Sequence, residues 1–147
     1  MDKILGRAER IDLPELNLKS LPAKVDTGAY SSSIDCESTE LVHNNDKDIL
    51  VFVPLRAGRT GYAGKPIRTT DFDVTEVINA NGTQERFVIY TDMIINGERT
   101  RCRFTLTDRS KLRYPVLIGR RFIRESDYLV DVRKGQGLPD DEEDRNL

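Results

Sequence analysis

The stretch Ala-Lys-Val-Asp-Thr-Gly-Ala, residues 23–29, places one carboxylate between an apolar run and a glycine. Its first residues alternate as in a strand with one buried face, and Asp26 stands where that strand would end. Gly28 allows a tight turn that brings backbone N–H groups toward the carboxylate, and the Thr27 hydroxyl can lock that turn. The same triplet is also ordinary turn chemistry, so by itself it leaves a catalytic and a structural interpretation open.

A second block, Pro-Val-Leu-Ile-Gly-Arg at residues 115–120, stands far downstream of the first. It is an apolar run closed by a glycine, and it leads into the only stretch with a helical pattern, residues 119–125. The combination predicts a short buried strand followed directly by a short helix.

Strand signals dominate the rest of the chain. Short runs of β-branched and aromatic residues bounded by turn residues predict strands at 49–55, 72–78, 85–90, 101–107, 116–118 and 128–132. Asn81-Gly82 and Asn96-Gly97 tolerate positive φ and predict two hairpins. The segment 56–70 is glycine-rich and basic and is predicted to be a long loop. We therefore expect an all-β fold with one short C-terminal helix.

Length and charge restrict the possibilities further. A chain of 147 residues has room for one core but hardly for two, so we expect a single domain at 1–137 and an acidic, disordered tail at 138–147. The net charge of −2 argues against general attraction to nucleic acid or membranes. No run is apolar enough for a signal peptide or a membrane span, and the expected location is the cytoplasm, where both cysteines stay reduced.

Several familiar site types lack sequence support. One histidine and two cysteines cannot assemble an ordinary closed zinc site. Gly64-Lys65 is followed by a proline rather than by the Ser or Thr of a phosphate-binding loop. Three serines at 31–33 follow the glycine, but His43 lies in a polar stretch with no signature of a Ser/His pair. We expect neither a metal ion nor a cofactor.

The two blocks together resemble the retropepsins, the single-domain aspartic proteases, and are still more similar to a bacterial family of retropepsin-like endopeptidases of the RimB type. The resemblance covers most of the chain and is carried by Leu-Pro-Glu-Leu at 13–16, Ala-Lys-Val-Asp-Thr-Gly-Ala at 23–29, Thr-Leu-Thr-Asp-Arg-Ser at 105–110, Arg-Tyr-Pro-Val-Leu-Ile-Gly-Arg at 113–120 and Tyr-Leu-Val-Asp-Val at 128–132. This family often bears the label "ATP-dependent zinc protease", for which the residues supply no ligands. Where its motif continues with Thr-Ser-x-Leu-His, this chain has Ser32-Ser33-Ile34-Asp35.

The resemblance implies a closed β-barrel of the retropepsin (acid protease) type and an aspartic endopeptidase with Asp26, Thr27 and Gly28 in the catalytic loop. Aspartic proteases use two carboxylates that share one proton. This chain has a single Asp-Thr-Gly triplet, so the second Asp26 is expected from a two-fold-related copy in a homodimer. By the same resemblance, Thr27 would hydrogen-bond across the two-fold axis and Gly28 would shape the loop.

Such an enzyme also needs a flap that covers the substrate. The candidates are the hairpin tip at 79–83 and the loop at 58–64, and each can equally be a plain surface turn. Of the two, the glycine-rich loop is the preferred prediction.

Positive charge is concentrated between residues 99 and 124, where the single acid is Asp108. Arg99, Arg101 and Arg103 alternate with other residues and would lie on one face of a strand, about 6.8 Å apart. This row is either a solvated or protected strand face or a track for carboxylates, which arginine binds bidentately. The candidate substrate-binding residues are Lys24, Arg101, Arg109, Arg113 and Tyr114.

An acidic peptide or protein is therefore the expected substrate. The resemblance agrees, because the family has been linked to the trimming of glutamate tails that an ATP-grasp ligase adds to a ribosomal protein. The alternative is a catalytically inactive module of the same fold that holds an acidic partner through its arginine-rich face. Direct binding of RNA is disfavoured, since few exposed aromatic residues alternate with the basic ones.

Overall fold

The computed structural model describes residues 3–135, 137 and 138, except for the side chain of Asn79. The strands are β1 (Ile4–Leu5), β2 (Ala8–Leu13), β3 (Leu18–Asp26), β4 (Ser33–Asn44), β5 (Lys47–Pro54), β6 (Ile67–Thr69), β7 (Phe72–Asn79), β8 (Gly82–Ile95), β9 (Glu98–Thr107), β10 (Val116–Gly119) and β11 (Leu129–Val130). One α-helix, α1, spans Arg120–Glu125, and a 3-10 turn at Pro14–Leu16 joins β2 to β3. The predicted all-β domain with one short helix is confirmed.

Nine of the strands belong to one sheet that closes on itself. The hydrogen-bonded order is β10, β3, β2, β8, β9 and β4, and β10 pairs with β4 as well as with β3, so these strands form a ring. From β4, the sheet extends outward through β5 and β6, and β7 pairs with β8. A separate parallel pair is made by β1 and β11.

The interior of the ring is filled by side chains that alternate along the strands. On β3 the buried residues Leu21, Ala23 and Val25 point inward, and the residues between them are partly exposed. Phe104 on β9 and Ile118 on β10 are fully buried in the same cluster. Full burial of each such side chain stabilises the folded state by about 1.5–3 kcal/mol. A shift of one residue would turn these side chains outward, so the inward row fixes the orientation of β3 up to its last residue.

Both predicted hairpins are present. The β7–β8 turn follows Asn79 paired with Gly82, and the β8–β9 turn carries Asn96 and Gly97 at φ 52° and 77°. The strand predicted at 85–90 is longer in the structure, because β8 runs unbroken from Gly82 to Ile95. The predicted loop 56–70 is wrong at its end, because Ile67 packs against the core and 67–69 pairs with β5.

The sequence patterns did not reveal β4. Its first four residues, Ser33 to Cys36, are all buried because strands or loops cover both faces there. Its second half forms an exposed hairpin with β5 and is rich in polar residues. Neither half has the two-residue alternation of a half-buried strand, so the hydrophobic pattern did not predict a strand there.

The predicted acidic tail lies outside the described residues, except for Leu138. That side chain is buried against Ala8 and Tyr114, and Arg7 Nη2 donates to its carbonyl at 3.0 Å. The first residue of the predicted tail therefore packs on the domain. Within residues 3–135, 137 and 138, no helix has the length and apolar character needed to cross a bilayer.

Candidate active site

The two sequence blocks that the prediction singled out lie side by side. β10 runs parallel to β3, with Val116 opposite Ala23 and Gly119 opposite Asp26. The other edge of β10 pairs antiparallel with the start of β4. The end of β10 is thus inserted between the two strands that enter and leave the Asp26 loop.

Asp26 is half-buried at the last position of β3, and the loop that follows folds back on it. The Gly28 N–H donates to Asp26 Oδ1 at 2.8 Å, and the Ala29 N–H donates to the Asp26 carbonyl at 3.2 Å. Within the described part of the chain, Oδ2 of Asp26 receives no hydrogen bond. Thr27 and Gly28 are exposed. The carboxylate is therefore oriented through one oxygen, and its second oxygen is not engaged by any described residue.

The start of α1 is hydrogen-bonded to this loop. The Arg120 N–H donates to the Ala29 carbonyl at 2.7 Å, and Arg120 Nη1 donates to the Gly28 carbonyl at 3.1 Å. Gly119 permits the close approach, because a Cβ there would lie 2.6 Å from the Tyr30 carbonyl oxygen. The glycine of the second block is thus required by backbone packing, since any side chain would push α1 away from the Asp26 loop.

A further contact of the loop comes from Ser32. The buried Gly119 N–H donates to Ser32 Oγ at 3.0 Å. From the sequence, the three serines were interpreted only as the strand that leads away from the loop. That interpretation misses Ser32, because a serine that satisfies a buried amide of a distant strand has no signature in its own neighbourhood.

Four of the predicted substrate-binding residues lie together around Tyr114, whose ring is buried. Lys24 Nζ lies 6.0 Å and the Arg113 guanidinium carbon 5.6 Å from the ring centroid. Arg109 Nε donates to the Tyr114 carbonyl at 2.9 Å. Burial and the charge of Arg59 lower the pKa of Arg109, while the charges of Asp35 and Asp26 oppose that shift. Positive charge thus stands close to the Asp26 loop.

Arg101, the fifth predicted residue, belongs to a different group. It forms ion pairs with Glu15 at 2.8 Å, Asp92 at 3.4 Å and Asp71 at 3.6 Å. Burial alone would lower its pKa, but Glu15 and Asp92 raise it. The predicted row on β9 is real, because Cys102 points into the core between the arginines. Its central guanidinium is engaged by carboxylates of the same chain.

The surroundings of Asp35 are the feature of this region that was least predictable from the sequence. It stands where the resemblance expects a histidine, and its side chain is fully buried. Both of its oxygens accept hydrogen bonds from Arg56, and Oδ2 also accepts one from Arg59 Nε, all at 2.7 Å. The Arg109 N–H donates to Oδ1 at 2.8 Å. Burial raises the pKa of Asp35, but these hydrogen bonds outweigh it and lower the pKa below its ordinary value.

In the described part of the chain, no group of three or more His, Cys, Asp or Glu side chains is arranged to hold a metal ion. Both cysteines are buried free thiols, and burial raises their pKa values to about 11 for Cys36 and about 12 for Cys102.

Comparison with protein-family models shows which family this chain matches. The model of the RimB-like family, described as "Retropepsin-like aspartic endopeptidase RimB", matches residues 4–136. Two curated relatives are each named "Probable alpha-L-glutamate ligase". The one from Desulfotalea psychrophila is 30% identical over 123 residues, and the one from Parasynechococcus marenigrum is 28% identical over 120. These matches cover 80% of this chain but only 26% and 25% of the relatives, so the chain spans about a quarter of their length.

A solved structure shares the fold. The crystal structure of a protein of unknown function from Legionella pneumophila subsp. pneumophila strain Philadelphia 1 superimposes with a TM-score of 0.73 at 25% identity. The alignment covers 93% of this chain and 98% of that protein. The ring of strands is therefore a complete unit in another protein.

Proposed function

Because the chain belongs to the RimB-like family of retropepsin-like aspartic endopeptidases, we propose that it hydrolyses peptide bonds at a pair of Asp26 carboxylates, one from each of two copies. The observation that carries this proposal is the Asp26 loop itself. One carboxylate oxygen is fixed by the Gly28 N–H, and the other is open in the described part of the chain. A homodimer supplies the second carboxylate, since the sequence contains a single Asp-Thr-Gly.

In the proposed dyad, one Asp26 is ionised and the other is protonated, because like charges about 3 Å apart cannot both ionise cheaply. The ionised carboxylate takes a proton from water while the water oxygen bonds to the peptide carbonyl carbon. The protonated carboxyl gives its proton to the carbonyl oxygen, and a tetrahedral diol forms. The carboxyl that took the water proton then gives it to the nitrogen, the other carboxylate takes a proton from one diol hydroxyl, and the C–N bond breaks to release a carboxylic acid and an amine.

We propose an acidic peptide, rich in glutamate, as the substrate. Lys24, Arg109 and Arg113 gather around Tyr114 close to the Asp26 loop, and guanidinium groups bind carboxylates well. The names of the curated relatives support a link to glutamate, because a domain similar to this one is part of longer proteins named as glutamate ligases. Ligation itself is not proposed for this chain, since it spans only about a quarter of those proteins.

The geometry favours the β7–β8 hairpin rather than the loop at 58–64 as the segment that covers substrate. The loop is fastened to the domain, because Arg59 binds Asp35 and the Tyr62 hydroxyl donates to Glu37 at 2.7 Å. The hairpin is an outer ribbon whose side chain at Ile78 is 81% exposed. An apolar tip on a two-stranded arm can close over a peptide with less disruption than a loop held by buried ion pairs.

The test compares the wild-type chain with Asp26→Asn on a glutamate-rich peptide and on a neutral one of equal length. Asp46→Asn is the matched control, since it makes the same chemical change at an exposed turn with φ 65°, which asparagine tolerates. We expect cleavage by wild type and the control, and none by Asp26→Asn, with mass spectrometry of the products as the readout. Full activity of Asp26→Asn would end the proposal. Binding of the acidic peptide without any turnover by wild type would favour the inactive module instead.

A further inference from the structure

The buried carboxylate of Asp35 is a charge for which stability alone is a poor explanation. Taking an ion pair out of water costs about as much as the pair regains, so buried ion pairs are weak indicators of stability. Asp35 nevertheless accepts four hydrogen bonds, from both Nε and Nη2 of Arg56, from Arg59 Nε and from the Arg109 N–H. We call Asp35, Arg56 and Arg59 the Asp35 cluster. Because all the hydrogen-bonding positions of its carboxylate are used, the cluster is suited to holding a neighbouring segment of the chain in place.

The segment held in place is the one between β9 and β10. The Arg59 guanidinium donates to the carbonyls of Arg109 at 2.6 Å, Leu112 at 2.8 Å and Arg113 at 3.0 Å. The Asp35 N–H donates to the Pro115 carbonyl at 2.8 Å. Residues 108–115 contain no strand or helix. Their conformation is therefore imposed largely by these contacts, which leave little freedom to the backbone on either side of Arg109.

The Arg109 side chain of this segment lies near the strand that ends at Asp26. It is buried, its Nε donates to the Tyr114 carbonyl, and the Tyr114 ring lies 6.0 Å from Nζ of Lys24, two positions before Asp26. Among the described residues, neither of its two terminal nitrogens has a hydrogen-bond partner. Asp26 is one of the two carboxylates whose charge acts on it. A buried, fixed guanidinium with two unused donors is a receptor for a carboxylate, because arginine binds that group through a fork.

We propose that Asp35 and Arg59 are positioning residues that hold the free fork of Arg109 beside Asp26, where it binds one substrate carboxylate adjacent to the cleaved bond. This inference deepens the proposed function and rests on it for the identity of the site. Neither Asp35 nor Arg59 touches the substrate. They act by fixing the backbone that carries Arg109, so their loss removes discrimination between a charged and a neutral side chain at one position of the peptide.

The experiment measures binding to the Asp26→Asn protein, in which peptides remain uncut. The probes are a neutral glutamine-containing octapeptide and its versions that each carry a single glutamate in place of one glutamine, and affinity is measured by fluorescence anisotropy. We expect one glutamate position to raise affinity about tenfold or more, as a hydrogen bond to a charged group does. Adding Arg109→Gln should abolish that gain and leave the affinity for the neutral peptide within twofold.

Arg59→Lys distinguishes positioning from a general structural role. Lysine keeps the positive charge but cannot donate at once to one carboxylate and three carbonyls. We expect it to reduce the glutamate gain about as much as Arg109→Gln does, and the double variant to lose no more than either single variant. Arg56→Gln is the matched control, since Arg56 binds the same carboxylate and the exposed side chain of Asp108, at 3.2 Å, but none of the backbone carbonyls of the 108–115 segment. It should lower the melting temperature and leave the glutamate gain within twofold.

The outcomes separate the two proposals. A glutamate gain that survives when Arg109→Gln or Arg59→Lys is added to the folded Asp26→Asn protein would overturn the positioning role. The same conclusion would follow if the Asp26→Asn protein itself showed no preferred glutamate position. Circular dichroism and thermal melting establish that each variant is folded. Should Arg59→Lys fail to fold, the result for Arg109→Gln together with Asp35→Glu, which keeps the charge and shifts the carboxylate, decides the question. Absence of cleavage by the wild-type chain would count against the proposed function alone, because binding is measured without turnover.

Discussion

Asp26 and Asp35 lie only nine positions apart in the sequence, but their surroundings are opposite. Asp26 is half-buried and receives one hydrogen bond, from a backbone amide of its own loop. Asp35 is fully buried and accepts four, of which three come from arginine side chains. A carboxylate with an unused oxygen can take part in chemistry, whereas one whose lone pairs are all engaged can only hold its neighbours. Hydrogen-bond saturation thus separates a candidate catalytic group from a positioning one.

Asparagine substitution should give opposite results at the two sites. Asp26→Asn should reduce turnover by at least about 10²–10⁴-fold, because proton transfer at that group is lost, and should leave stability nearly unchanged. Asp35→Asn should lower the free energy of unfolding by about 3–5 kcal/mol, because it leaves two partly buried guanidinium groups without their buried anion. Urea denaturation and turnover measured on the same preparations check both. Similar stability losses in the two variants would contradict the comparison.

The charge of Asp35 should also make the stability of the protein depend on pH in the acid range. The folded pKa of Asp35 lies below its ordinary value of 3.8. Its charged form therefore contributes stability above the unfolded pKa, and this contribution is lost as the pH falls through the lower folded value. The urea midpoint of wild type should fall steeply at acid pH, and the slope should be shallower for Asp35→Asn. Equal slopes in the two proteins would show that Asp35 does not titrate with folding.

The junction between the Asp26 loop and α1 offers a test of intermediate size. Gly119→Ala places a methyl group 2.6 Å from the Tyr30 carbonyl oxygen, so backbone must shift. Overpacking of this kind costs about 1–3 kcal/mol, and the shift should reach Asp26 through the pairing of β10 with β3. Turnover should fall more than in Gly97→Ala, where φ is positive but nothing lies within 4 Å. If Gly119→Ala turned over substrate as fast as wild type, activity would not depend on the close approach of Gly119 to the Asp26 loop.

Loss of the Ser32 hydroxyl should have a smaller effect. Ser32→Ala leaves the buried Gly119 N–H without its acceptor, which costs about 1–3 kcal/mol. Ser31→Ala, at the neighbouring and more exposed position, is the control and should change the melting temperature little. If both alanine variants melt at the same temperature, the hydrogen bond to Gly119 contributes nothing to stability.

The smallest effect is expected at Arg101. Its guanidinium is engaged by Glu15, Asp92 and Asp71 at the surface, and exposed ion pairs contribute little. Arg101→Gln should therefore change the affinity for an acidic peptide much less than Arg109→Gln does, although both lie in the same basic segment. Equal losses of affinity would return Arg101 to the substrate-binding set.

Sequence patterns were sufficient for much of the fold. The hairpins at Asn81-Gly82 and Asn96-Gly97 follow from local turn chemistry, and the short helix follows from the glycine that ends the preceding apolar run. Strand β4 was not predicted, because buried and exposed residues do not alternate along it: its first part is buried throughout and its second part is largely exposed. The loop at 58–64, within the predicted loop 56–70, was the preferred flap candidate because its glycine-rich and basic sequence has no apolar periodicity. No local signal reveals that Arg59 in this loop binds the buried Asp35.

The sequence by itself determined which chemistry is available, since Asp26, Thr27 and Gly28 are adjacent and the turn they form is local. Only the tertiary structure decided which cations stand near that turn. Arg101 and Arg109 lie in the same basic segment, yet Arg101 is engaged by acids on the surface, whereas Arg109 is buried and its backbone is held by Asp35 and Arg59. The reason is physical: turn geometry depends on neighbouring residues, whereas the partner of a charge depends on how distant strands pack.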